Sequence, residues 1–300
     1  MSNLDSHTNS INAISFSQRL ADLSALFKVR LTSLVVFSSM MAYLIGTSSF
    51  DLFDFVMLII GGSLVTFAAN TLNQVLEKDY DKLMKRTAQR PLPQGRMSIS
   101  QAVLLAGFMS LLGIVALSTT NVWAGLLGTV SLIIYAFIYT PFKRISSISV
   151  LIGAIPGALP MSIGCVVAQG TITPLAVALF AIQFFWQFPH FWAIAFLAHD
   201  DYNNAGYKML PSKSGNPDLE VGYQSFLYSL MLYPVILTIW FFDYLSLFGV
   251  IGMFSISIVY TYFSWMLYKR VDMVSAKNLM LSSFAYLPLA LFILLIFKSY

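Results

Sequence analysis

The chain has 300 residues, 58% of them hydrophobic and only 10% charged, with 17 lysines and arginines against 13 aspartates and glutamates. A soluble domain carries about 25% charge. So few charges cannot cover the surface of a water-soluble enzyme of this size, and a mean hydropathy of +0.76 excludes a disordered chain as well.

Residues 1–30 read as a cytoplasmic tail, rich in serine and asparagine and without the apolar core of a cleaved signal. Within it, Ile11 to Phe27 has the pattern of an amphipathic helix lying on the membrane, with Ile14, Leu23 and Phe27 opposite Gln18, Arg19 and Asp22. Residues 31–300 form one transmembrane domain. A helix needs about 20 mostly apolar residues to cross a bilayer. Nine stretches qualify, at 31–49, 54–76, 99–118, 121–140, 147–168, 173–198, 221–242, 244–267 and 278–297. The short alternating strands of a barrel are missing from the pattern. The single cysteine, Cys165, falls in an apolar run of the fifth span, which leaves no disulfide framework or zinc cluster.

Sorting the basic residues by loop orients the chain. Every lysine and arginine except Lys298 falls in the tail or after the second, fourth, sixth and eighth spans, and the opposite side offers Asp51, Asp54 and Asp243. The positive-inside rule then puts the N-terminus in the cytoplasm and the C-terminus outside. It also accounts for the basic balance without a nucleic-acid partner. The two long polar loops, about 77–98 and 199–220, share the cytoplasmic side, so polar chemistry is expected there.

The second span ends in Asn73-Gln-Val-Leu-Glu77-Lys-Asp-Tyr-Asp81, followed by Arg86-Thr87-Ala-Gln-Arg90-Pro91-Leu92. Asn73, Glu77 and Asp81 are spaced i, i+4, i+8 and drift only about 40° per step around a helix, so they share one face. Three oxygen donors on one stripe suit a hard cation such as Mg²⁺, which also takes phosphate oxygens. Arg86 and Arg90 can grip the same phosphate with planar forks, and Pro91 is expected to stop the helix. The plain alternative is a solvated helix end with local salt bridges, such as Asp81 with Lys85. Against it stands Asn73, a costly polar group just inside an apolar span.

The fifth span carries Gly153, Pro156, Gly157, Pro160 and Gly164. Gly153 and Gly157 form a small-x-x-x-small pair, read as a packing device beside a cavity. The sixth span ends in Trp186-Gln-Phe-Pro189-His190-Phe-Trp192, and the loop begins His199-Asp200-Asp201-Tyr202 and continues Ala205-Gly-Tyr-Lys208-Met-Leu210. An intramembrane histidine such as His190 is a functional candidate; the alternative is an interhelical hydrogen bond. On an unbroken helix Gln183, Gln187, His190 and Asp201 fall on one stripe. His199 points the other way unless the helix breaks, as Pro189 allows.

Together these strings resemble the UbiA-type intramembrane prenyltransferases. The Asn-x-x-x-(Asp/Glu)-x-x-x-Asp stripe with Met84, Arg86-Thr87, Arg90-Pro91-Leu92 and Gly95, and the Trp-Gln-x-Pro-His-Phe and Asp-Tyr-x-x-Ala-Gly-x-x-Met-Leu strings, are similar to the haem O synthase branch of that family. The resemblance covers both polar loops and their adjoining spans. It implies an all-α fold of nine transmembrane helices, bundled around a central cavity open to the cytoplasm. It also implies an activity: transfer of a farnesyl group from farnesyl diphosphate to a vinyl group of haem B, with addition of water.

The resemblance implies the following roles. Asn73, Glu77 and Asp81 hold Mg²⁺ and diphosphate, with Asp200 and Asp201 facing them across the bundle at a second Mg²⁺. Arg86, Arg90, Lys143 and Lys208 supply positive charge to the diphosphate, although Lys143 reads equally as a positive-inside anchor. His190 is taken as an axial ligand of haem iron or a porphyrin contact. His199 stands where several relatives carry Arg or Lys, so it can replace that positive charge near the diphosphate; it is also grouped with His190 as a haem-side candidate. A ring near Trp186 or Trp192 can stabilise an allylic cation, though core packing explains most of that cluster. Lys28-Val29-Arg30 departs from the branch's usual Lys-Pro-Arg, which should alter the helix start more than the reaction. A haem A synthase or terminal oxidase is the partner expected to receive the product. Two rivals stay open: a prenyltransferase for a quinone precursor or another ring, and a transporter. The transporter fits poorly with acidic groups gathered at one rim.

Overall fold

A computed structural model describes residues 15–299 of the chain. The expected surface helix is present as α1 (Phe16–Phe27), capped by Ser15, whose side chain accepts from the Gln18 amide; the Ile11–Ile14 part of that expectation lies outside the described residues. Lys28, in the left-handed region at φ 49°, turns the chain from α1 into α2 (Val29–Gly46). Then follow α3 (Leu52–Asp81), α4 (Ile99–Thr120) and α5 (Val122–Ile133). A π-helical segment, Ile134–Tyr139, joins α5 to the short α6 (Thr140–Phe142). The second half holds α7 (Ile148–Gln169), α8 (Pro174–Leu197), α9 (His199–Asn204), α10 (Leu219–Leu230), α11 (Leu232–Phe241), α12 (Leu247–Arg270) and α13 (Met273–Ile296).

Among the described residues nine stretches are long and apolar enough to span a membrane, counting Val122–Phe142 and Leu219–Phe241 as one span each. Each overlaps one of the nine read from the sequence. Their outward faces carry bare Leu, Phe, Ile and Trp side chains, such as Leu104, Phe108 and Leu111 on α4, as expected where lipid is the solvent. The spans α7 and α8 sit deepest. α7 belongs to both halves of the core: Ile163 and Val167 pack with Leu58 and Val65 of α3, whereas Met161 and Val166 join α8 and the later spans. The α2–α7 contact is close because Gly164 has no side chain: a Cβ there would stand 2.0 Å from the Ser39 carbonyl oxygen.

Two local expectations need correction, and one further feature was not foreseen. Pro91 does not end the second span; α3 ends at Asp81, and the Thr87 hydroxyl caps the Asp81 carbonyl at 2.8 Å. A helix continued to Arg90 would carry that residue about 13.5 Å along the axis, whereas the turns after Asp81 fold it back. Pro189 does not break α8, which runs unbroken to Leu197; the break is at Ala198 (φ −106°, ψ 22°). The stripe from Gln183 through His190 therefore stops short of Asp201, which lies on α9. The fourth span is not α-helical throughout. Pro141 has no N–H and its ring crowds the preceding turn, and here the chain takes a π register, with the Thr140 amide reaching back to the Tyr135 carbonyl.

Candidate active site

The end of α3 carries its polar stripe into the protein interior. Asn73, Glu77 and Asp81 are 1%, 5% and 0% exposed, far from the solvated helix end that a charged run normally forms. Such burial requires partners, and most of them come from outside α3. Lys28 Nζ donates to Asn73 Oδ1 at 2.8 Å. Asn73 Nδ2 donates to Glu77 Oε2 at 2.8 Å and to Thr140 Oγ1 at 3.1 Å. Lys143 Nζ pairs with Glu77 Oε1 at 2.9 Å, and Arg90 Nη1 with Asp81 Oδ2 at 2.7 Å. The local salt bridges weighed from the sequence do not form at these two carboxylates.

Apart from Thr140, these groups line a small cavity of about 80 Å³. Its wall also takes in Arg86, Thr87, Tyr139, Tyr202 and Tyr207. Arg86 Nη2 donates to Tyr202 Oη at 3.1 Å, and its guanidinium lies 5.4 Å from that ring's centre. The Lys143 ammonium lies 4.6 Å from the centre of the Tyr139 ring. The π register thus sets Tyr139, Thr140 and Lys143 around the end of α3.

α1 holds the remaining side. Gln74 Nε2 donates to the carbonyls of Ala25 and Leu26, and Asn70 Nδ2 to that of Phe27. These amides catch the free carbonyls at the end of α1 and fix Lys28 over Asn73. Arg96 grips Asp22 through three hydrogen bonds of 2.9–3.0 Å, which holds the Asp22 carboxyl below the usual carboxylate range. Burial, joined by the charges of Arg90 and Lys143, pulls Lys28 down to about 7 against the opposing pull of Glu77 and Asp81. At Lys143 burial also works against the charge, but Tyr139 and Glu77 outweigh it and its pKa lies well above the ordinary range.

Three buried oxygens in this network, Gln74 Oε1, Tyr207 Oη and Asp81 Oδ1, have no hydrogen-bond partner among the described residues, and only the last belongs to a carboxylate. Asp81 Oδ1 is sealed from solvent and accepts no hydrogen bond among the described residues. A buried carboxylate oxygen left bare is expensive, and a cation bound there would satisfy it. The oxygen-only donor set of Asn73, Glu77 and Asp81 fits Mg²⁺.

The structure thus brings Asn73, Glu77, Asp81, Arg86, Arg90 and Lys143 to one cavity. The remaining candidates stand elsewhere. Asp200 is exposed and Asp201 half-buried. Neither lines the cavity, and Asp201 acts on it only through its charge near Arg86. The second loop reaches the cavity through Tyr202, Tyr207 and Met209 instead. The Lys208 side chain is exposed, but its backbone N–H donates to the Lys143 carbonyl at 2.7 Å and so braces that lysine. His199 opens α9 and is half-buried. His190 is buried against α13, where Nδ1 lies 2.6 Å from Ser283 Oγ. Trp186 and Trp192 pack in the core, and the rings on the cavity are tyrosines. Lys28, Tyr139 and Tyr202 were not singled out by sequence reasoning; the Lys28-Val29-Arg30 string was the available signal for the first.

The UbiA prenyltransferase family model matches residues 34–295. The chain belongs to this family. Within UbiA proteins it is 41% identical to the protoheme IX farnesyltransferase of Cytophaga hutchinsonii, over 92% of this chain and 96% of that one. It is 38% identical to the enzyme of the same name from Christiangramia forsetii, over 90% and 91%. Among solved UbiA-type structures, it superposes on a digeranylgeranylglyceryl phosphate synthase with a TM-score of 0.79 at 16% identity, covering 93% of this chain and 98% of that one. A UbiA homolog from Archaeoglobus fulgidus bound to DMAPP and Mg²⁺ gives 0.69 at 16% identity, covering 89% and 99%. The fold read from the two motifs is therefore the observed one: an all-helical UbiA bundle in the membrane.

Proposed function

We propose that this membrane protein transfers the farnesyl group of farnesyl diphosphate to a vinyl group of haem B, adding water and releasing diphosphate, so that haem O is formed. The observation that carries this is near-full-length identity to enzymes named protoheme IX farnesyltransferase, in a chain whose buried acidic stripe meets four cationic side chains in one cavity. Transfer breaks the farnesyl C1–O bond and joins C1 to the outer vinyl carbon. Water then supplies the hydroxyl on the inner vinyl carbon and gives up a proton. No protein nucleophile takes part.

The work of the protein is to handle charge. Arg86, Arg90, Lys143 and Lys28 surround the place where the leaving diphosphate gathers negative charge. Lys28, Lys143 and Arg90 are held by Asn73, Glu77 and Asp81, where diphosphate oxygens would share these cations. Mg²⁺ would be held by Asp81, Glu77 and Asn73, and would supply Lewis-acid neutralisation of the departing oxygens. The rings of Tyr139, Tyr202 and Tyr207 offer π faces to an allylic cation and help to keep water from it. Asp201 steadies Arg86 from outside the cavity. His190 is the group we assign to the haem side, with His199 left at the loop surface.

The cavity opens on the cytoplasmic side, with the N-terminus cytoplasmic and the C-terminus outside, because the basic loops share its end of the bundle. A haem A synthase or terminal oxidase would take up the product. The test is incubation of the purified protein in liposomes with haem B, farnesyl diphosphate and Mg²⁺, followed by mass analysis of the extracted porphyrin. A gain of one farnesyl group and one hydroxyl is expected. Unchanged haem B, alongside prenylation of a quinone precursor, would overturn the choice of acceptor.

A further inference from the structure

His190 lies within α8, 7% exposed. Its ring stacks on Trp186, with centres 4.9 Å apart and planes 16° from parallel, and meets the edge of Phe284 at 5.1 Å. Nδ1 is 2.6 Å from Ser283 Oγ on α13. The Ser283 hydroxyl is also 2.5 Å from the Met280 carbonyl oxygen, to which it donates. A hydroxyl has one hydrogen, and a carbonyl oxygen can only accept. With its hydrogen given to Met280, Ser283 Oγ can only accept from His190. The proton in the 2.6 Å contact therefore belongs to Nδ1.

A neutral imidazole carries one N–H, so Nε2 is left with a bare lone pair. The residues around the ring, Trp186, Phe191, Ser283 and Phe284, carry no charge, and Nε2 makes no hydrogen bond among the described residues. Ser283 also fixes the neighbouring ring, because its carbonyl accepts from Trp186 Nε1 at 3.0 Å. One residue of α13 thus sets both the plane and the tautomer of the histidine.

The geometry points to Ser283 as a positioning residue that holds His190 in its Nδ1–H form and presents Nε2 as a ligand to the iron of haem B. This builds on the reading of haem B as acceptor and names the atom that would hold it. Neutral imidazole is the ligating form, and the hydrogen bond on its other nitrogen tunes its basicity. A hydroxyl pulls on Nδ1–H less than a carboxylate would. Such a ligand binds iron without the strong push that a resident haem receives, which suits a haem that must leave as product.

The test uses the full-length protein in liposomes. In ¹⁵N spectra of uniformly labelled, haem-free wild type, with His190→Ala identifying the resonance, Nδ1 is expected protonated and Nε2 bare. Haem B titration followed by absorbance and resonance Raman should show an iron–histidine bond that His190→Ala loses. Ser283→Ala should let the tautomer shift and weaken histidine-ligated haem binding by about tenfold or more, and Ser283→Thr, which keeps the hydroxyl, should restore both. A protonated Nε2 in wild type, or an unchanged tautomer and iron–histidine signal in Ser283→Ala, would overturn the role of Ser283. An iron–histidine signal that survives His190→Ala would overturn the ligand itself. Wild type that binds no haem would instead sink the acceptor reading.

Discussion

The two acidic clusters at the polar end of the bundle look alike in sequence and differ in structure. On α3, Asn73, Glu77 and Asp81 are buried and each meets a cationic side chain from outside the helix. Beyond α8, Asp200 is exposed and Asp201 half-buried, and the loop enters the cavity with tyrosines rather than carboxylates. Burial, and an oxygen left without a partner, set the α3 carboxylates, which we propose hold the metal, apart from the pair beyond α8.

The largest expected effect is at Asp81. Asp81→Asn removes the charge opposite Arg90 and the bare oxygen, and should lower the rate of diphosphate release by about 10²–10³-fold, the usual cost of losing one well-placed electrostatic group. Lys143→Met comes next. It leaves Glu77 buried without its cation, an arrangement that costs about 3–5 kcal/mol, so the unfolding midpoint in mild detergent should fall along with activity. Asp22→Asn should cost less, about 2 kcal/mol of local stability. It should also raise hydrogen exchange in α1 while leaving exchange in α12 unchanged. The Asp22 carboxyl is held below its ordinary value by Arg96, so the lock is at full strength above the ordinary carboxylate pKa. It weakens only as pH falls through the lowered value, and α1 exchange should rise in that acid range in wild type but not in Asp22→Asn. Asp201→Asn should change the apparent affinity for farnesyl diphosphate only a few-fold, by relaxing Arg86, in line with exposed charge pairs worth about 1 kcal/mol or less. Asp200→Asn should be smaller still. If Asp200→Asn or Asp201→Asn matched Asp81→Asn in diphosphate release, the contrast between the clusters would collapse.

Much of the fold was legible because lipid is a severe solvent. Nine apolar runs stand out, and a stripe of Asn73, Glu77 and Asp81 is visible as a period of four. What lay beyond reach depends on pairings across long stretches of chain. Lys28 meets Asn73 and Lys143 meets Glu77 only after the α1–α2 turn, the end of α3 and the residues after α6 have packed, and nothing local marks Ser283 as the partner of His190. The end of α3 was misplaced because Pro91 is a strong stop signal, whereas the real stop is a tertiary one, the return of Arg90 to Asp81. The break at Ala198 was missed for the opposite reason. Alanine carries no breaking signal, and Pro189, which does, is accommodated inside α8. The turn from α1 to α2 at Lys28 likewise has a non-glycine residue at positive φ.

The most direct test is an experimental structure of the protein in lipid nanodiscs with Mg²⁺ and a non-ionising farnesyl thiodiphosphate. Metal density at the Asp81 carboxylate, with phosphate oxygens among Arg86, Arg90 and Lys143, is the predicted result. Metal and phosphates bound at Asp200 and Asp201, with the Arg90–Asp81 and Lys143–Glu77 pairs intact and the cavity empty, would contradict it.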